Sequence, residues 1–321
     1  MGRWHAHAIR HVGSRVVAVI DSDLARARAL AARLPGNTAS ESSLQRSLDE
    51  HRIEVLHVCT PVESHDGIAR VAIGVGIPLL IEKPLALDAA TTRELHALAE
   101  SRDVLLCPVH QFLFQPGILA AGRAMSRLGA IRQLDIVACS AGADGASDAR
   151  REAIALDILP HGLALARRLL GVSLDSAAWR VGEGGPGEIR TMADIAGTSV
   201  MLAVSMRARP TENSLTVRCD AGTVHANLFH GYATIERGAP SRLDKVGRPF
   251  VGAAQALGAA AGNLAGRAVR GEPAYPGLRE LVRRFHAACA GRGPSPISVE
   301  ESLDVSRARD AISAARMHGR P

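Results

Sequence analysis

The sequence predicts an α/β domain with a parallel sheet, followed by an α+β domain built on a mainly antiparallel sheet. Three observations carry that expectation. Up to about residue 110, short apolar runs rich in β-branched residues alternate with stretches of helical period. After Pro116 the runs lengthen into strands that follow one another closely. The chain, at 321 residues, is also long for a single core. The expected division is 1–115 and 116–321, with the last helix packing back on the first domain.

In chain order, Arg15-Val-Val-Ala-Val-Ile20 reads as a strand ending at Asp21, and Leu24 to Leu34 as a helix. Val55-Leu-His-Val-Cys59 is the next strand, followed by a helix from about His65 to Ile73. Pro78 to Ile81 and Val104 to Cys107 are strands that bracket a helix from Asp88 to Arg102. Near-continuous apolar strands separated by amphipathic helices indicate a parallel sheet covered on both faces. Beyond Pro116, Ile131–Ser140, Ile189–Ala196, Ser199–Met206 and Leu215–Cys219 read as strands. Asp220-Ala-Gly222 reads as a hairpin turn into Thr223–Asn227. Gly142 to Ala149 is a small-residue loop before a helix. Residues 251–270 are helical and rich in alanine and glycine, and Pro276-Gly277 opens another helix.

Bulk composition excludes several function classes. Net charge is +6 with a pI near 9.5, yet arginines alternate with alanine and acids, as in Leu24-Ala-Arg-Ala-Arg-Ala-Leu30. That pattern suits solvated helix faces rather than a nucleic-acid stripe, and aromatic content of 3% leaves few rings for base stacking. The five cysteines (Cys59, Cys107, Cys139, Cys219 and Cys289) are widely spaced and form no CxxC or Cys/His cluster. They read as buried free thiols in a reducing cytoplasm, and no metal site is expected. No apolar run is long enough for a bilayer and no signal-peptide core is recognisable, so no membrane partner is expected.

Asp21 stands where the second strand of a Rossmann unit places an acidic residue on the adenosine ribose. A glycine fingerprint belongs about 20 residues upstream of it. Only Gly2 is present there, as its third glycine, leading into the helical pattern from Arg3 to Arg10. The first strand would be central, and without it two edges inside a buried sheet are unpaired. Each unsatisfied buried backbone group costs about 1–3 kcal/mol. The expectation is that Met1 is an internal methionine with the strand upstream; the rival is a truncated, cofactor-free protein. Asp21 favours NAD over NADP, because a carboxylate repels a 2′-phosphate, although Arg26 and Arg28 lie nearby. A capping role for Asp21 is the plainer alternative.

Only two of the 38 basic residues are lysine, Lys83 and Lys245. Lysine can shift its pKa and exchange a proton where arginine cannot. Glu82-Lys83-Pro84 directly after a strand therefore reads as chemistry; the alternative is a solvated lysine in a loop. Asp157-Ile-Leu-Pro-His161 is the second candidate. A helix starting near Asp157 would put Pro160 in its first turn, where its missing N–H costs nothing. Four-residue spacing sets the Asp157 carboxylate and the His161 ring on one helix face. The ring, with a pKa near neutrality, can take a hydroxyl proton as hydride leaves the same carbon. With 13 histidines in the chain, that spacing alone is a common coincidence.

In order along the chain, Gly2-Arg-Trp-His-Ala6, Thr60-Pro61 with His65, Glu82-Lys83-Pro84, Asp157-x3-His161 and Pro294-Ser-Pro-Ile-Ser-Val-Glu-Glu301 resemble the Gfo/Idh/MocA family of NAD(P)-dependent oxidoreductases. The resemblance implies a Rossmann domain plus an open-faced sheet domain that often mediates oligomerisation, hence a homo-oligomer acting on a small molecule. It implies that Lys83 polarises the substrate oxygen, that His161 is the general acid/base, and that Asp157 orients the ring or binds substrate. Glu82 and Pro84 would shape the cofactor loop, with Gly2, Asp21, Thr60, Pro61 and His65 near the nucleotide. Two departures stand out: Glu152-Ala-Ile-Ala-Leu156 replaces glycines common in relatives, and Leu113 stands where an arginine is common. His110, and at lower rank Arg150 or Arg151, would line the substrate pocket, while His225 and His230 read as sheet residues. The implied activity is hydride transfer between NAD and a secondary alcohol or ketone of a sugar, cyclitol or related polyol. The alternatives are an NAD-dependent lyase or glycosidase with no net redox, and a cofactor-free binding relative.

Overall fold

The computed structural model describes residues 1–238 and 242–318. The chain divides into two compact units. The first is Met1–Val109 with Leu278–Ser302, and the second is His110–Gly277 with the chain from Leu303. The division expected at 115 and 116 is thus not a single cut. Residues 110–115 fold with the second unit, and a later segment returns to the first.

The first unit begins with α1 (Gly2–His11), β1 (Ala18–Ile20) and α2 (Leu24–Ala31). Asp23 caps α2, its carboxylate accepting from the Ala25 N–H. β2 (Ala39–Glu41) and α3 (Leu44–Glu50), the latter capped by Ser43, follow. Next come β3 (Leu56–Val58), α4 (His65–Gly74), β4 (Leu79–Ile81), α5 (Ala89–Ser101) and β5 (Leu106–Pro108). Asp88 caps α5 by accepting from the Thr91 N–H. All strand pairs here are parallel, as the apolar strand pattern requires. They form two separate sheets, β1-β2 and β3-β4-β5, and among the described residues no strand joins them. β4 is wholly buried, and its core includes Ile73, Leu79, Ile81, Leu95 and Leu106.

In the second unit, α6 (Pro116–Met125) precedes β6 (Ile131–Cys139) and α7 (Asp148–Leu170). β7 (Arg180–Val181), β8 (Glu188–Ile195), β9 (Thr198–Ser205), β10 (Glu212–Cys219), β11 (Gly222–Asn227) and β12 (Tyr232–Arg237) complete a sheet of order β12-β11-β10-β6-β9-β8-β7. Only β6–β9 is a parallel pair within it. β10 and β11 meet at Cys219 and Gly222 around the expected tight turn. Along β8, Ile189, Thr191, Ala193 and Ile195 are buried while Met192 and its neighbour Met201 are exposed. One face of the sheet is covered and the other is open. Gly162 of α7 makes the covered face close: a Cβ there would stand 2.6 Å from Leu202 Cδ2. The long α8 (Arg242–Arg270) follows. α9 (Leu278–Cys289) belongs to the first unit, and α10 (Val299–His318) passes from the first unit into the second after Ser302.

Two expectations and one alternative need correction. α7 does not start near Asp157: its N-cap is Ser147, and Pro160 lies inside the helix. The Ala-, Arg-, Glu- and Leu-rich stretch 149–156 outweighs the single backbone bond that Pro160 removes. His230 is not in a strand but in the turn between β11 and β12, where it is fixed by the Asn227 side chain. Asp21 does not cap α2, because Asp23 does so; the Asp21 carboxylate instead accepts from the Asp23 N–H at 2.9 Å.

Candidate active site

Three of the parallel strands of the first unit deliver candidate residues at their carboxyl ends, where α/β sheets bind ligands. Asp21 follows β1, Thr60 and Pro61 follow β3, and Glu82-Lys83-Pro84 follows β4. Gly2 opens α1, and a Cβ on it would meet Leu30 Cδ2 at an ordinary 3.6 Å. The Asp21 N–H donates to the Glu41 carbonyl, which fixes the strand end.

His65 ties two of these loops together. It is 1% exposed, and its Nε2 lies 3.0 Å from the Thr60 carbonyl. Its Nδ1 lies 3.0 Å from the Pro84 carbonyl and 3.2 Å from that of Leu85. A neutral imidazole carries one N–H and carbonyls only accept, so the ring donates to one of these loops and lies in contact with the other, spanning the 60–61 and 83–85 loops. Ser64 adds to this by donating to Thr60 Oγ1 or the Pro61 carbonyl, at 2.7 and 2.8 Å. The Lys83–Pro84 peptide is cis.

Glu82 points elsewhere. Its Oε1 accepts from His5 Nε2 at 3.0 Å, with both side chains almost fully buried. Burial works against a charge on His5, but the Cys59 sulfur and then the Glu82 carboxylate override it and raise its pKa to about 10. Burial also opposes the Glu82 charge, but His5, Lys83 and the Met1 ammonium together hold that carboxyl below its ordinary value. The pair is therefore an ion pair at neutral pH.

The second unit holds His110, Asp157 and His161. Asp157 and His161 share one face of α7, and the His161 ring stacks on Phe112 with centroids 4.4 Å apart and planes 23° apart. Phe112 lies in a short 3-10 turn, Gln111–Phe114, which starts at the buried His110. Arg151 is engaged by Asp148 and by the Ala146 carbonyl. Glu152 accepts from the Gly187 N–H and from the Arg316 guanidinium. That residue is a tie between α7, the loop before β8 and α10. Sequence reasoning missed Phe112, whose only signal was an aromatic residue in a chain with five phenylalanines. It also missed His5, His57 and His286.

Residues 1–110 match the model of the Gfo/Idh/MocA group, described as an oxidoreductase family with an NAD-binding Rossmann fold. The first third of the chain is similar to that family. D-apiose dehydrogenase of Paraburkholderia graminis is 33% identical over 130 residues, which is 40% of this chain and 34% of that protein. Inositol 2-dehydrogenase of Leifsonia xyli subsp. xyli is 35% identical over 105 residues, covering 32% of this chain and 30% of that protein. The matches to these curated relatives thus span about a third of their length. Likeness of fold extends over the rest of the chain in solved structures. The WlbA dehydrogenase from Bordetella pertussis, in complex with NADH and UDP-GlcNAcA, superposes with a TM-score of 0.79 at 18% identity. That match covers 99% of this chain and 93% of that one. UDP-N-acetylglucosamine 3-dehydrogenase GnnA from Acidithiobacillus ferrooxidans gives 0.75 at 19% identity, covering 98% and 93%.

Proposed function

We propose that the protein is an NAD-dependent oxidoreductase that moves hydride between the nicotinamide and a secondary alcohol or ketone of a sugar, cyclitol or related polyol. The observation that carries this reading is the Glu82-Lys83-Pro84 loop at the carboxyl end of β4, braced by His65 against the Thr60-Pro61 loop. The relatives named as apiose and inositol dehydrogenases support the substrate class.

The residues present fit the ribose and nicotinamide ends of a dinucleotide, while of the glycines that approach the pyrophosphate only Gly2 is present. Asp21 offers a carboxylate to the adenosine ribose, and NAD is preferred to NADP for the same reason. The 60–61 and 83–85 loops, held by one buried imidazole, offer a fixed edge on the nicotinamide side. NAD would supply the hydride acceptor. Lys83 would polarise the substrate oxygen. His161, kept in one orientation by the Phe112 face, would take or return the hydroxyl proton, with Asp157 one helical turn away supporting an imidazolium. His110 would line the substrate pocket. Among the described residues no helix is long and apolar enough to cross a membrane. The reading further takes the protein as cytoplasmic and homo-oligomeric, with the open sheet face bearing Met192 and Met201 as the surface to be covered.

The test is NAD-linked turnover over a panel of cyclitols, aldoses and nucleotide sugars, for the wild type and Lys83→Arg. The variant should lose ~10²-fold or more in turnover while remaining folded. Near-wild-type turnover in the variant, or no nicotinamide binding by calorimetry in folded protein, refutes the reading.

A further inference from the structure

Three histidines from three separate elements of the first unit form one continuous hydrogen-bonded chain. His5 of α1 meets Glu82 through Nε2 at 3.0 Å and His57 of β3 through Nδ1 at 2.9 Å. His57 Nε2 meets His286 Nε2 of α9 at 2.9 Å, and His286 Nδ1 meets Ser14 Oγ at 2.9 Å. Both ring nitrogens of every histidine are used. The rings are nearly perpendicular, at 82° and 89°, with centroids 5.2 Å apart in both pairs. That separation is the nitrogen gap plus one ring radius on each side, so the bonded nitrogens lie along the line of centres. Ser14 lines an open pocket of about 240 Å³ together with Arg10, Arg15 and Thr38.

We propose that His5, His57 and His286 are a proton relay that carries one proton between the pocket at Ser14 and His5, where the Glu82 carboxylate holds it.

The protons balance in two states only. In the first, all three rings are neutral and every donor points toward Glu82. Ser14 Oγ–H donates to His286 Nδ1, His286 Nε2–H to His57 Nε2, His57 Nδ1–H to His5 Nδ1, and His5 Nε2–H to Glu82. In the second, a proton has entered at His286 Nδ1, and each ring has passed its own proton to the next. His5 is then the imidazolium paired with Glu82, His57 is protonated on Nε2, and His286 on Nδ1. One proton added reverses three hydrogen bonds, and no buried donor is left without an acceptor in either state. The groups facing the chain favour this single-charge arrangement. Glu82 and Cys59 face His5, while Lys83 and the Met1 ammonium face Glu82. Burial first, and then His5 and His286 facing it, depress the proton affinity of His57. On α9, Arg283 and Arg284 are held by Glu280, and Arg279 donates to the His11 carbonyl. A purely structural clamp needs no reversible direction and would hold one tautomer at each ring.

The relay rests on the histidine geometry and stands whether or not the chain turns over a polyol. Its test is nitrogen-15 NMR of histidine-labelled full-length protein across a pH titration, with His57 and His286 assigned by single substitutions. As His5 loses its proton, with a midpoint near pH 10, His57 should move its proton from Nε2 to Nδ1. His286 should move its own from Nδ1 to Nε2 at the same midpoint. In Glu82→Gln the coupled switch should fall by roughly 1 pH unit or more, the scale of a lost carboxylate partner. In His57→Phe, His286 should lose the switch at that midpoint. Fixed tautomers at His57 or His286 in both wild type and Glu82→Gln, up to the pH of unfolding, overturn the relay; so do separate midpoints for the two rings.

Discussion

Replacing Glu82 by Gln removes the charge opposite His5 and keeps the side chain's size. His5 holds its proton to about pH 10 in the fold and to about 6.5 when exposed. A raised pKa of this kind stabilises the fold fully below pH 6.5, and its contribution fades as pH rises toward 10. At pH 7 the remaining gap is about 3 pH units, and at about 1.4 kcal/mol per unit the pair contributes up to about 4 kcal/mol. That figure is a ceiling, because Cys59 supplies part of the shift. It lies within the ~3–5 kcal/mol expected for breaking a buried pair on one side. The assay is urea denaturation of wild type and Glu82→Gln at half-unit steps from pH 6.5 to 10. The stability difference should be largest near pH 6.5–7 and close toward zero near pH 10. A difference that stays flat across that range, or is absent at pH 7, refutes the ion pair and the physical basis for His5 as the seat of the charge.

Four further outcomes follow from single contacts. His96 is 4% exposed, accepts from or donates to Ser302 Oγ at 2.8 Å, and is pushed by burial down to about pKa 4. The unfolded chain takes that proton first as pH falls, so wild type should lose about 3 kcal/mol between pH 6.5 and 4 that His96→Gln keeps; parallel denaturation curves for the two would refute it. Gly117→Ala should destabilise by ~1–3 kcal/mol, because its Cβ would stand 2.5 Å from the Tyr232 carbonyl carbon, a backbone atom that cannot swing aside. Thermal melts with an unchanged midpoint would contradict that packing. Phe112→Ala should lower turnover by ~10-fold or more with KM little changed, since a loosened His161 ring is misplaced for proton transfer. The Lys83→Arg loss described above should exceed the Phe112→Ala loss, which steady-state kinetics on the same substrate decides.

Most parallel strands were legible because their apolar runs are short, β-branched and flanked by turn residues. β2 escaped because Ala39-Ser-Glu41 has neither an apolar run nor β-branching; it becomes a strand only by pairing with β1. β12 escaped because Tyr232–Arg237 sits on the sheet edge and is only half buried. α7 was read as starting too late, because Pro160 carries a strong helix-start signal that tertiary packing overrides. Gly162, packed against Leu202 and Ile136, holds α7 onto the sheet regardless of the proline.

The candidate site shows the same limit more sharply. Spacing along one element places Asp157 beside His161 and Lys83 beside Glu82, because a helix or strand fixes those neighbours by its own period. It says nothing of what lies across a gap between elements. Glu82 reads as a loop-shaping residue from its motif, yet its carboxylate is taken by His5, 77 positions away, and through His57 it reaches His286. A strand position such as His57 gives one clue, since alternate residues of β3 face opposite sides and an imidazole on a buried face needs partners. Its two partners come from α1 and α9, and only the fold brings them together. The Glu82-Lys83-Pro84 motif therefore joins two jobs at one strand end. Its carboxylate fixes a charged histidine beneath the loop, and in the proposed reading its lysine meets the substrate above it. A substitution at Glu82 should thus disturb stability and proton balance first, and one at Lys83 should disturb turnover first. That difference in readout separates the two roles even though the residues are adjacent.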